Sequence, residues 1–183
     1  MAGIRICGTG SYLPDNLVDN DAYAKIVDTS DEWIRPRTGI VTRPIANGET
    51  TWRMGAAAGR RALEAAGADP GQVGLIVVTS VTPDFLTPSM SCVIQQELGC
   101  PGAMCIDINC ACTGFVSGVD MARRYLATGD VDTALVVSTE MLSRITNYAD
   151  RTTCVLFGDG AGAAVVRRGQ GLYGAHLAAD GAG

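Results

Sequence analysis

A chain of 183 residues, 47% of them hydrophobic, is long enough to bury the core of one globular domain and has no disorder-prone composition. Its formal net charge of −5 argues against general nucleic-acid binding, which requires a basic surface. Seven cysteines with one histidine argue against a disulfide framework and a metal site, and no apolar run approaches the roughly 20 residues of a membrane span, so we expect a cytoplasmic protein with reduced thiols and no membrane partner.

The first third of the chain contains one short predicted strand and several predicted helices. Residues 4–7 read as a strand that the glycines and threonine of residues 8–10 interrupt. Asn20 is a candidate cap for a short helix, and residues 28–30 offer a second cap before another short helix. An alanine-rich stretch over residues 51–66 predicts a longer helix.

Strands and helices alternate from residue 73 onward. The unbroken apolar run over residues 73–81 is typical of a strand that is covered on both faces of a parallel sheet. Thr87 as a cap and Pro88 as the first helical residue predict a helix that ends at Leu98. The later predicted elements are a strand at residues 103–109, a helix at 112–128, and strands at 133–139, 153–157 and 161–166.

This order of elements predicts the fold class. The alternation is βαβαβα with a closing β-hairpin, a βαβαβαββ unit, which specifies a layered α/β domain with a mainly parallel sheet covered by helices. Functional sites in such domains lie at the carboxyl ends of the strands. Gly158, Gly160 and Ala163 formally satisfy a dinucleotide-binding motif, but a strand is predicted to follow instead of a helix, so we favour a tight hairpin turn there.

The stretch from Ile106 to Phe115 changes from a strand pattern to a helical pattern, with Cys112 at the change. The first turn of a helix has unpaired N–H groups and roughly half a positive charge, so a thiol there loses its proton more easily and becomes a nucleophile. The competing interpretation is that Cys110 and Cys112 are small buried apolar residues, as most cysteines of reduced proteins are.

Four motifs follow one another along the chain: Asp28-Thr-Ser-Asp-Glu-Trp-Ile34, Arg37-Thr-Gly-Ile40, Cys110-Ala-Cys-Thr-Gly-Phe115 and Phe157-Gly-Asp-Gly-Ala-Gly-Ala163. Their order and spacing resemble those of β-ketoacyl-acyl-carrier-protein synthase III, the initiating condensing enzyme of bacterial fatty-acid synthesis. The resemblance implies a thiolase-like layered fold of two similar halves, of which residues 1–183 would be the N-terminal half, with the C-terminal half absent from this chain.

The resemblance also implies a reaction. Cys112 would be acylated by acyl-coenzyme A, and decarboxylative condensation with malonyl-acyl-carrier protein would give β-ketoacyl-acyl-carrier protein and carbon dioxide. Coenzyme A thioester is then a substrate, and no separate cofactor is implied. The family's catalytic histidine and asparagine belong to its second half, so His176 is expected to be structural. We expect a homodimer, and we expect the 183 residues alone to bury their interface poorly and not to condense substrates.

Trp33 lies beside Arg35 and Arg37, and flat indole and guanidinium groups can stack on adenine while the arginine charge attracts phosphates. Without the resemblance, a tryptophan in this setting is more often a core or interface residue than a platform for a ligand. The resemblance implies that Trp33 and Arg151 sandwich the adenine of coenzyme A and that Thr29 and Arg37 line the same entrance.

Six arginines crowd into one part of an otherwise acidic chain, where they could form a localised anion-binding surface. For Arg60 and Arg61, a solvated helix face is an equally good interpretation. The six are Arg35, Arg37, Arg43, Arg53, Arg60 and Arg61.

Thr87 carries a separate hypothesis about the acyl pocket. Many members of the family have an aromatic residue at this place, which crosses the dimer interface and closes the partner's acyl tunnel. The smaller threonine implies that longer or branched starter acyl groups are accepted.

Three alternatives stay open. A related thiolase-fold enzyme, either a hydroxymethylglutaryl-coenzyme A synthase or a synthase of secondary metabolism, would use the same cysteine. An inactive half that acts as an assembly partner would explain the missing histidine and asparagine but not the intact Cys112. A cysteine hydrolase is disfavoured because no histidine is placed to act as its base.

Overall fold

The computed structural model describes residues 3–171 and 174–182. Within those residues the chain forms a five-stranded sheet, a two-stranded sheet and five α-helices. The strands are β1 (Ile4–Tyr12), β2 (Leu17–Asp19), β3 (Thr42–Pro44), β4 (Leu75–Thr79), β5 (Met104–Ile108), β6 (Thr133–Met141) and β7 (Asp159–Arg168). The helices are α1 (Asn20–Ala24), α2 (Asp31–Thr38), α3 (Thr51–Ala66), α4 (Met90–Leu98) and α5 (Gly114–Thr128).

The five-stranded sheet has the order β1-β7-β6-β4-β5. β4 pairs in parallel with both β5 and β6, whereas β7 is antiparallel to its neighbours β6 and β1. Within this five-stranded sheet, all strands except β7 therefore run in one direction, which confirms the mainly parallel sheet. The elements β1, α3, β4, α4, β5, α5, β6 and β7 give the predicted βαβαβαββ order, and the short elements from β2 to β3 are inserted after β1.

Helices cover both faces of the sheet. On one face, Ile76 and Val78 of β4 pack with side chains of α3 and α4, and on the other face Leu75 and Val77 pack with side chains of α5. Every residue of β4 is buried. Because successive side chains of a strand point to opposite faces, an unbroken apolar run is what a strand between two helical layers requires. The prediction of a doubly covered strand is confirmed.

The predicted break after residue 7 is wrong, because β1 continues through Gly8 and Gly10 to Tyr12. A Cβ atom at Gly8 would lie 2.4 Å from the backbone nitrogen of Ala66, and one at Gly10 would lie 2.3 Å from the carbonyl oxygen of Ala58. These glycines therefore allow the backbone of α3 to lie directly on the strand.

The predicted strand at residues 153–157 is also wrong, since this segment forms turns. The carboxylate of Asp150 accepts hydrogen bonds from the backbone N–H of Thr152 and the hydroxyl of Thr153, and this side-chain bonding replaces a strand ladder. The predicted closing hairpin does not form. Gly158 directly precedes β7, and Gly160 and Gly162 lie in the beginning of β7, which pairs with β6 and β1.

The predicted helix starts are confirmed in part. Ser30 caps α2 as predicted. α4, by contrast, begins at Met90 with Ser89 as its cap, so Thr87 is not a cap and Pro88 is not helical. The carboxylate of Asp107, on β5, accepts hydrogen bonds from the first two N–H groups of α4 and fixes its start.

α1 begins one residue earlier than its predicted cap implies, because Asp19 caps the helix and Asn20 is its first residue. Among the helices of residues 3–171 and 174–182, none has the length and apolar character needed to cross a membrane.

Candidate active site

Cys112 lies in a tight turn between a strand and a helix at the carboxyl edge of the sheet. β5 ends at Ile108, a 3₁₀ turn spans Ala111–Thr113, and α5 begins at Gly114. The backbone N–H and the hydroxyl of Thr113 donate to the carbonyl oxygen of Cys110 at 3.1 and 2.8 Å, which closes the turn. Ala111 has a φ of 44°, an uncommon left-handed conformation for a residue with a side chain. The turn presents Cys112 at the surface, as strained nucleophile turns in α/β enzymes do.

The beginning of α5 is held directly against the sheet. A Cβ atom at Gly114 would lie 2.7 Å from the hydroxyl oxygen of Thr79, and one at Gly118 would lie 2.9 Å from a methyl group of Val136. Glycine is therefore required for this close approach of helix and strand. The position of Cys112, two residues before Gly114, depends on that contact.

Exposure separates Cys112 from the interior thiols. Cys110 and Cys112 are both exposed, so the interpretation of them as buried apolar residues is wrong. Burial raises the pKa of the thiols of Cys100 and Cys154, and burial together with the neighbouring Cys92 raises the pKa of Cys105 to about 12. The interior thiols therefore stay protonated near neutral pH, whereas Cys112 is accessible to a reagent or substrate.

A cavity of about 230 Å³ opens beside Cys112. Its walls are mostly apolar, which suits a short hydrocarbon chain. The lining residues are Val81, Ala111, Cys112, Glu140, Leu142 and Phe157.

Glu140, which lines this cavity, was not identified from the sequence. Its carboxylate accepts hydrogen bonds from the N–H of Val81 at 2.9 Å and from the hydroxyls of Thr82 at 2.5 Å and Ser80 at 3.3 Å. The sequence offers one indication of Glu140: it is a lone carboxylate near the end of an apolar strand, at the edge where parallel strands place functional groups.

A second cavity, of about 290 Å³, adjoins the first. The two cavities share Leu142 and Phe157, and the second is also lined by Thr153. Thr153 lies two residues after Arg151, so the lining extends from Cys112 toward the turn that carries Arg151.

The structure brings Trp33, Arg37 and Arg151 together. The guanidinium carbon of Arg37 lies 4.7 Å from the centre of the Trp33 ring, and that of Arg151 lies 4.6 Å from it. Arg151 also donates to the carbonyl oxygen of Asp28 at 2.9 Å. The hydroxyl of Thr29, in the same segment, is buried and has no hydrogen-bond partner among the described residues. Aromatic, cationic and unpaired polar groups thus meet at one place.

Thr87 is exposed between β4 and α4 and is not one of the residues that line the cavity at Cys112. The preceding residue, Leu86, is 95% exposed. Thr87 therefore does not contribute to this cavity within the chain, and the hypothesis about the acyl pocket continues to require a second subunit. His176 lies in an exposed segment without helix or strand.

The proposed arginine surface is wrong for Arg43, which is 2% exposed. Its guanidinium donates to the carbonyl oxygen of Val155 and to the side-chain oxygen of Asn20. Arg60 and Arg61 fit the solvated helix face instead: Arg60 pairs with an exposed glutamate of α4, and Arg61 donates to a backbone carbonyl of β1.

Comparisons with known proteins give one consistent result. Residues 106–181 match the family model of 3-oxoacyl-[acyl-carrier-protein (ACP)] synthase III. The chain is similar to the β-ketoacyl-[acyl-carrier-protein] synthase III of Clostridium acetobutylicum, with 48% identity over a 185-residue alignment that covers 100% of this chain and 57% of that protein. The chain therefore spans about half the length of the curated relatives that it matches.

Solved structures agree. The crystal structure of 3-oxoacyl-[acyl-carrier-protein] synthase III from Aquifex aeolicus VF5 is 44% identical, with a TM-score of 0.89 over 92% of this chain and 55% of that one. The priming β-ketosynthase from the R1128 polyketide biosynthetic pathway is 43% identical, also with a TM-score of 0.89, over 92% of this chain and 51% of that one. These matches confirm the resemblance carried by the four motifs and the thiolase-like fold.

Proposed function

This chain belongs to the 3-oxoacyl- (β-ketoacyl-)[acyl-carrier-protein] synthase III family, and on that premise we propose that it acts as an acyltransferase in the initiation of fatty-acid synthesis. Cys112 takes an acyl group from acyl-coenzyme A, and condensation with malonyl-acyl-carrier protein gives β-ketoacyl-acyl-carrier protein and carbon dioxide. The observation that carries the proposal is the exposed Cys112 on a strained turn at the beginning of α5, beside an apolar cavity.

The first step is a transfer between two thiols. The sulfur of Cys112 attacks the thioester carbonyl, a new carbon–sulfur bond forms, and the bond to the sulfur of coenzyme A breaks. The proton of the Cys112 thiol passes to the departing coenzyme A thiolate. The backbone N–H of Cys112, at the start of the helix, contributes to stabilising the negative oxygen of the intermediate.

The second step uses the acylated cysteine. The malonyl group loses carbon dioxide, its carbanion attacks the thioester carbonyl, and Cys112 leaves as a thiolate. We assign no residue of this chain to stabilising the enolate, because that task belongs to a histidine and an asparagine of the family's C-terminal half. The 183 residues alone are therefore proposed not to condense substrates, and the active form is proposed to contain that half within a homodimer.

Coenzyme A enters as part of the substrate. We propose that Trp33 and Arg151 hold its adenine, with Arg37 supplying charge and the buried hydroxyl of Thr29 a hydrogen bond. The guanidinium of Arg151 already lies against the Trp33 ring, so adenine would enter between them by a modest movement of an exposed side chain.

Condensation in the full-length protein tests the proposal. We expect β-ketoacyl-acyl-carrier protein to form from acetyl-coenzyme A and malonyl-acyl-carrier protein, and the Cys112→Ala variant to form none. Hydroxymethylglutaryl-coenzyme A from acetoacetyl-coenzyme A would favour the related synthase instead. Absence of any product and of any acyl-enzyme would favour an inactive assembly partner.

A synthase of polyketide biosynthesis is the second candidate, because the priming ketosynthase of the R1128 pathway is as similar to this chain as the Aquifex enzyme is. Both candidates use Cys112 in the same way. Competition between fatty-acid and polyketide carrier proteins for one acyl-enzyme distinguishes them.

Thr87 is proposed to widen the acyl tunnel of the partner subunit. Straight and branched acyl-coenzyme A donors of increasing length should then compete well with acetyl-coenzyme A, and Thr87→Phe should restore a preference for short donors. A strict preference for acetyl in the unmodified protein would contradict this hypothesis.

A further inference from the structure

The cavity beside Cys112 has one charged residue among the six described residues that line it, and that residue is Glu140. Val81, Ala111, Leu142 and Phe157 provide the apolar walls. An acyl group that is bound to Cys112 therefore shares a small space with a carboxylate.

Uncharged hydrogen-bond donors stabilise the carboxylate of Glu140, and no cation among the described residues pairs with it. Its three hydrogen-bond donors are the uncharged N–H of Val81 and the hydroxyls of Ser80 and Thr82. Arg144, at the end of the 3₁₀ turn Leu142–Arg144 that follows β6, pairs instead with Asp84 at 2.7 Å. Among the described residues, Glu140 forms no ion pair, so hydrogen bonding fixes the carboxylate in place without cancelling its negative charge.

We propose that Glu140 determines which acyl groups load onto Cys112, by excluding negatively charged ones. The inference rests on the proposed function, because it concerns the acylation step, and it narrows the substrate class to uncharged acyl thioesters. The transfer itself is unchanged: the thioester bond to coenzyme A breaks as the bond to Cys112 forms, and the coenzyme A thiolate takes the proton.

The physical reason is twofold. An acyl chain that ends in a carboxylate must leave water to enter an apolar cavity, and it then meets a second carboxylate that cannot turn away. Like charges that share one small, mostly apolar cavity disfavour each other. An uncharged chain of the same shape has neither penalty, so a fixed glutamate discriminates by charge more than by size.

The test measures the rate at which Cys112 of the full-length protein is acylated, by intact mass and peptide mapping. The two donors are succinyl-coenzyme A and 4-methylpentanoyl-coenzyme A. Their acyl groups have the same number of heavy atoms, but the first ends in a carboxylate where the second ends in an uncharged isopropyl group. We expect Glu140→Gln, which keeps the size of the side chain, to raise the ratio of succinyl to 4-methylpentanoyl loading by at least about tenfold.

Two control variants distinguish an effect of the Glu140 charge from an effect of losing hydrogen bonds in the cavity wall. Thr82→Val keeps the carboxylate but removes one of its hydrogen-bond donors and the acceptor of the Met141 N–H, so the ratio should rise far less than in Glu140→Gln. Glu97→Gln removes an exposed carboxylate that pairs with Arg60 and should leave both rates unchanged. A ratio that rises equally in Thr82→Val and Glu140→Gln would overturn the role of charge.

The inference can also be tested on the unmodified protein, so that the result does not depend on whether a variant folds. Succinamoyl-coenzyme A, the uncharged amide of the succinyl donor, should load at least about tenfold faster than succinyl-coenzyme A. Equal loading of the amide and the acid, or an unchanged ratio in a folded Glu140→Gln protein, would overturn this inference and leave the proposed function standing. Failure of 4-methylpentanoyl- and acetyl-coenzyme A alike to modify Cys112 would overturn both.

Discussion

Gly114 connects the packing of the sheet to the position of Cys112. Its Cα faces the hydroxyl of Thr79 so closely that a Cβ atom would lie 2.7 Å from that oxygen. The first turn of α5 and the turn that carries Cys112 can keep their places only while this residue has no side chain. One hydrogen atom in place of a methyl group thus affects the geometry of Cys112, two residues away.

The Gly114→Ala variant should therefore be less stable and should present Cys112 poorly. We expect a loss of about 1–3 kcal/mol in the free energy of unfolding, typical of overpacking, and slower alkylation of Cys112 by iodoacetamide. Urea denaturation and peptide mapping measure the two effects. Gly162→Ala in β7 is the matched control, because no atom lies within 4 Å of its added Cβ, and equal behaviour of the two variants would contradict the account.

The Trp33 ring is proposed as the platform for adenine. Trp33→Ala should weaken binding of coenzyme A to the full-length protein by at least about fivefold, since stacking of a base on an aromatic ring contributes about 1–3 kcal/mol. Trp52→Ala is the control, because Trp52 also lies under a guanidinium but on α3. Calorimetric titration measures both, and an unchanged affinity of the Trp33 variant would exclude it from the site.

The sequence points to candidate functional residues when their evidence is local. Cys112 stands at a visible change from strand to helix, and Trp33 and Arg37 are one helical turn apart. Arg151 reaches Trp33 only through the folded chain, and its position was given by resemblance. Glu140 was missed because its hydrogen-bond donors are at Ser80, Val81 and Thr82, far from it in sequence.

At the scale of elements, α5 contains a buried ion pair that links two turns of the helix. The side chain of Asp120 is 5% exposed and lies 2.7 Å from Arg123 and 2.8 Å from Arg124. Burial by itself would raise the pKa of Asp120, but hydrogen bonds from the two arginines, together with their charges, outweigh burial and lower it. A buried carboxylate is tolerated here because two arginines pair with it and donate hydrogen bonds to it.

This pair predicts a pH dependence with a definite sign. Because the pKa of Asp120 is lower in the folded than in the unfolded chain, its contribution to stability is present above the unfolded value of about 3.9 and is lost as the pH falls through the folded value. Asp120→Asn should lower the free energy of unfolding at neutral pH by about 3 kcal/mol. The difference from the wild-type protein should shrink in acid.

Denaturant unfolding at several pH values measures this difference. Asp132→Asn is the control, because Asp132 pairs with Arg168 at the surface and exposed ion pairs contribute little. A deficit in Asp120→Asn that stays constant down to pH values well below the unfolded pKa would contradict the assignment.

Element boundaries show where local sequence patterns stop being sufficient. The bounds of α3 were predicted from its own residues and agree with the structure. The start of α4 was not, because its first N–H groups bond to Asp107 on another element. Residues 153–157 include strand-forming side chains, but this segment forms turns. Hydrogen bonds to the Asp150 carboxylate and the burial of Val155 stabilise that conformation.

At the scale of the whole molecule, large apolar side chains remain exposed around the cavity at Cys112. Ile145 is 62% exposed, and Leu156 and Phe157 are 40% and 39% exposed. Apolar side chains grouped in this way on a soluble domain usually mark a surface that another protein surface covers. They fit the expectation that the 183 residues bury their interface poorly when they are alone.

The isolated 183-residue chain should therefore self-associate. We expect sedimentation velocity to show a weight-average mass that rises with protein concentration, because association removes apolar surface from water. Replacing Ile145 and Phe157 by serine should reduce this rise, whereas replacing the exposed Leu177, outside the cavity region, should not. A monodisperse monomer at all concentrations would contradict the prediction.

The most direct test of the account is the intact mass of the full-length protein after incubation with acetyl-coenzyme A. The account predicts the addition of one acetyl group, mapped to the peptide that contains Cys112, absent in Cys112→Ala and retained in Cys110→Ala. A protein that stays unmodified, or one that carries the acetyl group on Cys110 and keeps it when Cys112 is replaced, would contradict the claim that Cys112 is the nucleophile.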